Sequence, residues 1–552
     1  MTVELLALII AAVLVIVFAN SLATRTGVAG PLILVAIGVG VSLIPAVGAV
    51  AVPPQLILVG VLPPLLFSAA VSAPAIEFRR DLAAIGGLSV LLVIVSSLVL
   101  GLFFFWAIPG LGFPLGVALG AILSPTDAVA TTIVRGLGVP RRVVTVLEGE
   151  ALLNDATALV LLRTAIVAAA SGFSFLTTLG SFAWAVLCAI VVGAVTGWVA
   201  LRLRAWAKSA TATTALGLTV PYIAYLPTEA LGGSGLVAAV VAGVVCGQGA
   251  VRWLTPEQRI SDKLNWRTIE FLFEGAVFLI MGLELWGIVE SNLAAENGLL
   301  EGAVIAASAL VILLIVRAVY VFPMLRAHAR RVKRSVRSRL LSASEEDTTK
   351  DRQRAGRMRA DIDYFDSSPL TWKHDVIVVW AGMRGAVTLA AAQTLPPETP
   401  QRDLLVFIAF LVAAGSLVLQ GLTLPVLARA LGLRRAGASG PPRAEIREID
   451  GQLRAAAQTA IDGGELRHGD KKPFSAEIYA LPAAQFIAPF DPTGGSDTPE
   501  ALEFQLALIL AMRTRLHELG RSGRHSTTAL RYVLDELDAY EISVKLHLEG
   551  ER

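Results

Sequence analysis

Leu123-Ser124-Pro125-Thr126-Asp127 stands inside an apolar run, 114–135, that is otherwise long enough to cross a bilayer as one helix. Proline has no N–H to give, so Pro125 frees the carbonyl of Ala121 one turn earlier, while Ser124, Thr126 and Asp127 add side-chain oxygens at membrane depth. A plain hydrophobic span gains nothing from such a segment. A helix that breaks in mid-membrane to expose backbone and carboxylate oxygens needs it. A second run, 374–395, is interrupted at the corresponding place by Ala381-Gly382-Met383-Arg384-Gly385.

The composition around these interruptions excludes a soluble protein. Of 552 residues, 55% are hydrophobic and 16% charged, against about 25% charged in an average soluble domain; mean hydropathy is +0.68. Cys188 and Cys246 both lie in apolar runs and provide neither a disulfide framework nor a thiolate cluster. His328, His374, His468, His517, His525 and His547 fall outside the apolar stretches or at their edges. A net charge of +2 argues against a nucleic-acid partner.

Thirteen stretches qualify as spans: 3–22, 29–48, 53–73, 82–108, 114–135, 142–170, 175–201, 208–226, 233–249, 268–289, 298–325, 374–395 and 403–431. Met1-Thr2-Val3-Glu4 carries no basic side chain, so the first stretch reads as a span and not a cleaved signal peptide. Basic residues collect in alternate loops, at Arg25, Arg79 and Arg80, Arg141 and Arg142, Arg202 and Arg204, Arg252, Arg259 and Lys263, through 326–373, and at Arg434 and Arg435. The other loops, 46–52, 109–113, 171–175, 227–232, 290–297 and 396–402, hold Arg402 alone. By the positive-inside rule the N-terminus is outside and the C-terminus is cytoplasmic; the membrane expected for this multi-pass protein is the cell (plasma) membrane. Thirteen spans divide as six, one and six, an inverted repeat whose fifth members are the two interrupted runs. The fold expected is all-α and polytopic, with the interrupted helices crossed.

Residues 1–435 form the transmembrane unit, with a basic cytoplasmic loop at 326–373 that reads as a solvated connection. Residues 436–552 open on a Gly/Pro/Ala linker at 436–442 and close on two stretches, 503–519 and 527–546, with apolar residues at helical spacing. This reads as a small helical cytoplasmic domain and a candidate regulatory element.

Ionisable side chains at membrane depth mark a pathway or a partner. The deepest are Asp127, Glu150, Asp155, Arg163, Glu274, Glu284, Arg317 and Arg384. Thr126 and Asp127 offer the oxygen donors that hard monovalent cations such as sodium bind; Asp127 also suits the cap of a half-helix in a Pro-kinked span. Asp155 follows Asn154 in Gly149-Glu150-Ala151-Leu152-Leu153-Asn154-Asp155-Ala156-Thr157. A carboxylate among Leu and Ala can take a proton or a cation, not both at once, and that competition suffices for exchange at one site. The plainer alternative is a buried aspartate that only accepts hydrogen bonds. Glu150 with Arg384, and Glu274 with Arg317, are expected as structural ion pairs, while Arg163 and Glu284 have no assigned partner. No Walker loop and no H-E-x-x-H motif occurs, so nucleotide drive and a zinc protease are unsupported, and no cofactor is expected.

Ser124-Pro125-Thr126-Asp127-Ala128-Val129, Gly149 to Thr157, Phe278-Leu279-Ile280-Met281-Gly282-Leu283, Gly382-Met383-Arg384-Gly385-Ala386-Val387 and Leu62-Pro63-Pro64-Leu65-Leu66-Phe67 together resemble the cation:proton antiporter family, in its NhaP- and NHE-type sodium/proton exchanger branch. The resemblance implies a homodimer and a part in pH homeostasis. It implies that Asp155 is the ion-binding and proton-carrying residue, that Asn154, Thr126 and Asp127 accompany it with sodium at Asp155, Asp127 and Thr126, and that Glu150 and Arg384 are structural. Asn154 stands where electrogenic relatives carry a second aspartate, which implies electroneutral exchange of one Na⁺ or Li⁺ for one H⁺. Two positions depart from the pattern. Ser68 stands where many relatives have an acid and Ala151 where some have serine, and each change removes an oxygen ligand or a route for one. K⁺/H⁺ exchange is the nearest alternative; a cation channel or an intramembrane enzyme would need a continuous polar lining or a substrate groove, which the isolated polar positions do not provide.

Overall fold

A computed structural model describes residues 3–44, 52–171, 175–207, 209–294, 298–343, 361, 364–365, 370–433, 443–464, 466–468, 472–480 and 498–550. Most of the loop at 46–52, parts of the loops at 171–175 and 290–297, much of the basic loop and the linker at 436–442 lie outside the described residues.

The described chain is nearly all helix. The first half contains α1 (Val3–Thr26), α2 (Gly30–Ser42), α3 (Leu56–Ser72), α4 (Ala75–Ala107), α5 (Phe113–Leu123), α6 (Val129–Arg135) and α7 (Arg141–Ser171). There follow α8 (Phe175–Trp206), α9 (Ala210–Ala230), α10 (Gly235–Trp253), α11 (Pro256–Leu283), α12 (Leu285–Ala294), α13 (Leu299–Ala343), α14 (Trp372–Trp380), α15 (Ala386–Gln393) and α16 (Arg402–Ala430). Among the described residues eight helices are long and apolar enough to cross a membrane, and α2, α3 and α5 are shorter apolar helices. Both expected interruptions are present, between α5 and α6 and between α14 and α15. The basic loop is not simply a solvated connection, because α13 runs on as helix to Ala343.

The helices gather into two bundles. One contains α4 to α7 and α13 to α16; the other contains α1 to α3 and α8 to α11. Within each, glycines let backbones touch, as the small-xxx-small pattern does in membranes. A Cβ on Gly116 or Gly120 of α5 would meet the carbonyls of Gly101 or Ser97 on α4, at 2.6 and 2.5 Å. A Cβ on Gly243 or Gly247 of α10 would likewise meet Phe67 O and Val71 O of α3, at 2.6 and 2.5 Å. Contacts between the bundles are sparse by comparison, and α7 meets α3, α8 and α10 only lightly. Proline in α3 is accommodated by its neighbour: Pro64 cannot donate to Gly60 O, and Tyr222 Oη of α9 donates there instead, at 2.6 Å.

The C-terminal residues form α17 (Arg443–Asp462), α18 (Ala476–Ala480), α19 (Pro499–Ser522) and α20 (Thr527–Gly550). The stretches expected at 503–519 and 527–546 are α19 and α20; α17 was not expected. Ile449, Leu453, Phe504, Leu508, Val533 and Leu537 build a core of their own. Arg531 of α20 donates to the last carbonyls of α3, to Ser72 O, to Val71 O at 3.2 Å and to Ala73 O at 3.0 Å. In return Glu77 Oε1 of α4 accepts from Thr527 N at the start of α20, at 2.8 Å. A cation at a helix C-terminus and an anion at a helix N-terminus are both favourable.

His525, in the turn between α19 and α20, is 2% exposed, with Nδ1 3.9 Å from Glu445 Oε1. Burial outweighs the attraction of Glu448 and Glu445 and holds its pKa below the ordinary value. The unfolded chain therefore takes up the proton first, near pH 6.5, and the stability contributed by neutral His525 is lost as the pH falls from there toward the folded-state pKa. Amide protection factors across α17 and α19, corrected for the intrinsic pH dependence of exchange, should fall below about pH 6.5 in wild type, and this step should be absent in His525→Gln.

Candidate functional site

Four helix ends meet where the interruptions face each other. Asp127 N donates to Met383 O at 2.7 Å, so the two breaks are bonded directly. At the C-terminus of α5, Leu123 O accepts from Arg384 Nε at 2.9 Å, and Arg384 Nη1 donates to Gly382 O just beyond the end of α14. Arg384 is 2% exposed, and its own N–H donates to Ser416 Oγ of α16 at 2.9 Å. At the N-terminus of α6, Asp127 Oδ1 accepts from Val129 N at 3.1 Å. The Asp127 carboxylate also lies against Gly385 at the start of α15, so closely that a Cβ on Gly385 would overlap it. One cation therefore faces two helix C-termini and one anion two helix N-termini, each charge opposed to the partial charge of the ends it meets.

A hydrogen-bond chain fixes this crossing to α7. Asn154 Nδ2 donates to Thr126 O at 3.1 Å and to Thr126 Oγ1 at 2.9 Å, and Thr126 Oγ1 donates to Glu150 Oε1 at 3.1 Å. Glu150 is paired with Arg317 of α13: Nη2 reaches Oε2 at 2.7 Å, Nη1 donates to Oε1, and Nε donates to Val378 O of α14 at 3.1 Å. Glu150 and Arg317 are 1% and 2% exposed.

The expected pairs are thus corrected. Glu150 pairs with Arg317 and not with Arg384, because Arg384 sits inside a break and finds orphaned carbonyls there. Glu274 does not meet Arg317; it lies on α11, one turn from Glu270, in electrostatic contact with Glu270 and Asp127. Arg163 pairs with Glu229, and Glu284 accepts from Gln393 Nε2 at 2.9 Å and Val52 N at 3.3 Å.

Asp155 differs from all of these. Among the described residues its carboxylate makes no side-chain hydrogen bond, and its electrostatic neighbour is Asp127. It borders a cavity of about 10 Å³ lined also by Ala121, Ile122, Pro125, Ala158 and Val387, about the room one water molecule needs. Asn154 Oδ1 is buried and unpartnered. The structure thus brings Thr126, Asp127, Asn154, Asp155, Glu150 and Arg384 to one crossing, with Arg317 as the partner sequence reasoning misassigned. Glu270 was also missed: Ser68 Oγ donates to Glu270 Oε1 at 2.6 Å, so an acid from α11 lies beside the position where the family pattern puts one on α3. The Glu270/Glu274 spacing, one turn apart, was the available signal.

Residues 9–430 match the family described as sodium/hydrogen exchanger, transmembrane. An uncharacterised Na⁺/H⁺ exchanger of Escherichia coli K12 is 30% identical over 525 residues, covering 88% of this chain and 89% of the relative. An Na⁺/H⁺ antiporter of Aphanothece halophytica is 28% identical over 406 residues, 73% of this chain and 69% of its own. A sodium, potassium, lithium and rubidium/H⁺ antiporter of Bacillus pumilus is 28% identical over 417 residues, 72% of this chain and 57% of its own. In fold, the sodium proton antiporter of Methanocaldococcus jannaschii is similar with a TM-score of 0.58 at 16% identity, over 78% of this chain and 99% of that one.

Removing one member of a buried ion pair strands the other. Glu150→Gln leaves Arg317 uncompensated and should lower stability by about 3–5 kcal/mol, read as a fall in folded yield and in Tm of the purified protein; an unchanged Tm would count against this role for the pair.

Proposed function

We propose, for a chain that belongs to the transmembrane sodium/hydrogen exchanger family, that it exchanges Na⁺ or Li⁺ for H⁺ one for one, with Asp155 alternately protonated and cation-bound. Cation/proton antiport is the activity of this family, and the chain is a transporter, not an enzyme. The observation that carries the reading is the state of Asp155. Asp127 is tied to a helix end and Glu150 to an arginine and a threonine, whereas Asp155, among the described residues, makes no side-chain hydrogen bond and borders a cavity of ion or water size. Asn154, held by Thr126, is uncharged, which supports an electroneutral cycle. Thr126 already accepts from Asn154 through both of its oxygens, so its part is to hold the geometry, with Asp127 and Asn154 Oδ1 nearer to serving as further oxygens.

The wider arrangement in this reading is a homodimer of thirteen-span protomers in the cell membrane, built as an inverted repeat with the C-terminus in the cytoplasm. The bundle carrying α7 moves against the bundle carrying α3 and α10, exposing Asp155 to each side in turn. Potassium is a second candidate substrate, supported by the printed name of the Bacillus relative. Residues 436–552 are a regulatory element in this scheme, since α20 touches α3 of one bundle through Arg531 and α4 of the other through Thr527.

Proton flux in proteoliposomes on addition of Na⁺, Li⁺ or K⁺ tests the exchange. Wild type should alkalinise acid-loaded vesicles and report its ion preference, while Asp155→Asn should lose all cation-dependent flux with its Tm retained; robust exchange by that variant would sink the assignment. A chain ending at Arg435 should keep exchanging with a shifted rate or pH profile, and a profile identical to wild type would remove the regulatory role.

A further inference from the structure

A second, larger cavity, about 270 Å³, lies next to the one beside Asp155. Leu159 and Leu162 line both, and the larger one extends along α7 away from Arg141. Leu159 is one turn beyond Asp155 and Arg163 two turns, about 12 Å along the helix. At the far end of this vestibule Arg163 Nη1 donates to Glu229 Oε2 at 2.7 Å. The two side chains are 58% and 24% exposed. Glu229 Oε1 meanwhile accepts from Gly235 N at 2.9 Å, which fixes the carboxylate to the turn between α9 and α10.

The two residues belong to different bundles. Arg163 rides on α7, which packs on α4 and α5, whereas Glu229 and Gly235 belong to the bundle of α3 and α8 to α11. Glu150–Arg317, by contrast, joins two helices of a single bundle and is sealed from solvent. A buried pair of that kind resists separation, but a solvent-exposed pair is weak and can part and re-form at little cost. An exposed pair is therefore the kind of contact that suits a seam whose two sides slide.

We propose that Arg163 and Glu229 form the gate at this end of the transport path, a breakable latch between the two bundles whose cancelling charges set how readily a monovalent cation enters the vestibule. The inference rests on the reading of Asp155 as the exchange site. Without Glu229, the Arg163 guanidinium keeps the neutral Tyr225 beside it but no counter-charge and depletes cations in the mouth; without Arg163, Glu229 concentrates them. At low ionic strength a unit charge about 12 Å from a hydrated site shifts local cation concentration a little under twofold, and salt screens the effect.

Two experiments on the full-length protein test this. At low ionic strength Glu229→Gln should raise the KM for Na⁺ and Li⁺ about 1.5- to twofold on the vestibule face, Arg163→Gln should lower it by a similar factor, and the double variant should return toward wild type, with all differences fading at high ionic strength. A pair that only braces the fold would lower Tm in both single variants and move both KM values in the same direction or not at all, and that result overturns the charge role. Second, Arg163→Cys/Glu229→Cys, in a background with Cys188→Ala and Cys246→Ala, is cross-linked with a short bis-methanethiosulfonate. Exchange should stop and return on reduction, with either single cysteine unaffected by the reagent. Full-rate exchange by the cross-linked protein overturns the latch. Because Asp155→Asn is tested separately, wild type that exchanges while the paired variants show none of these effects removes the gate and leaves the site reading intact.

Discussion

Everything at the centre of this protein follows from breaking two helices where water is scarce. An intact helix satisfies its own backbone, but each break leaves a C-terminus with orphaned carbonyls and an N-terminus with orphaned N–H groups. Four such ends carry partial charges of about half a unit each. Arg384 answers the two negative ends through Leu123 O and Gly382 O, and Asp127 answers the positive ends at Val129 and Gly385. Gly385 has no side chain because the Asp127 carboxylate fills the place of its Cβ. With its charge so engaged, Arg384 has little freedom to do anything else.

The remaining polar groups hold that crossing in place. Thr126 is at once acceptor for Asn154 and donor to Glu150, and Glu150 passes the connection to Arg317, which reaches α14 through Val378 O. Broken-helix residues, α7, α13 and α14 thus form one bonded unit within a single bundle. The network closes on itself with Asp155 left outside it.

Much of this was legible in the sequence, and the illegible parts share a cause. Pro125 and the Gly382/Gly385 pair announced the interruptions because proline and glycine act on their own backbone, a local effect readable without a fold. The partners of Glu150 and Arg384 were not readable: helical periodicity says which side of α7 Glu150 occupies, but not which of two distant arginines faces it. Arg384 looked like a counter-charge because its neighbours are apolar, whereas its position inside a break gave it carbonyls instead. The helix α17 was hidden for another reason. Ile446, Ile449, Leu453, Ala457 and Ile461 recur at helical spacing, but the low overall hydropathy and the preceding Gly/Pro segment drew attention to a linker. Glu270 was passed over because its significance depends on Ser68, two hundred residues away in sequence and 2.6 Å away in space.

The division of labour between the tied acids and the free one gives the proposed exchange its coupling. A bundle whose charges at the helix breaks are matched can shift past its neighbour without leaving them uncompensated, since the matches travel with it. Asp155 is the exception. Empty and ionised, it is a bare charge on the face of α7 that must cross an apolar seam, and desolvating it opposes the movement. A proton cancels that charge, and so does a monovalent cation. Either occupant therefore permits the crossing, the empty site hinders it, and the two occupants exclude each other at one carboxylate. The glycine-tight contacts inside each bundle and the sparse contacts between them direct the motion to the same seam. In that scheme one-for-one exchange needs no relay between separate sites, only one carboxylate at the boundary between the two bundles.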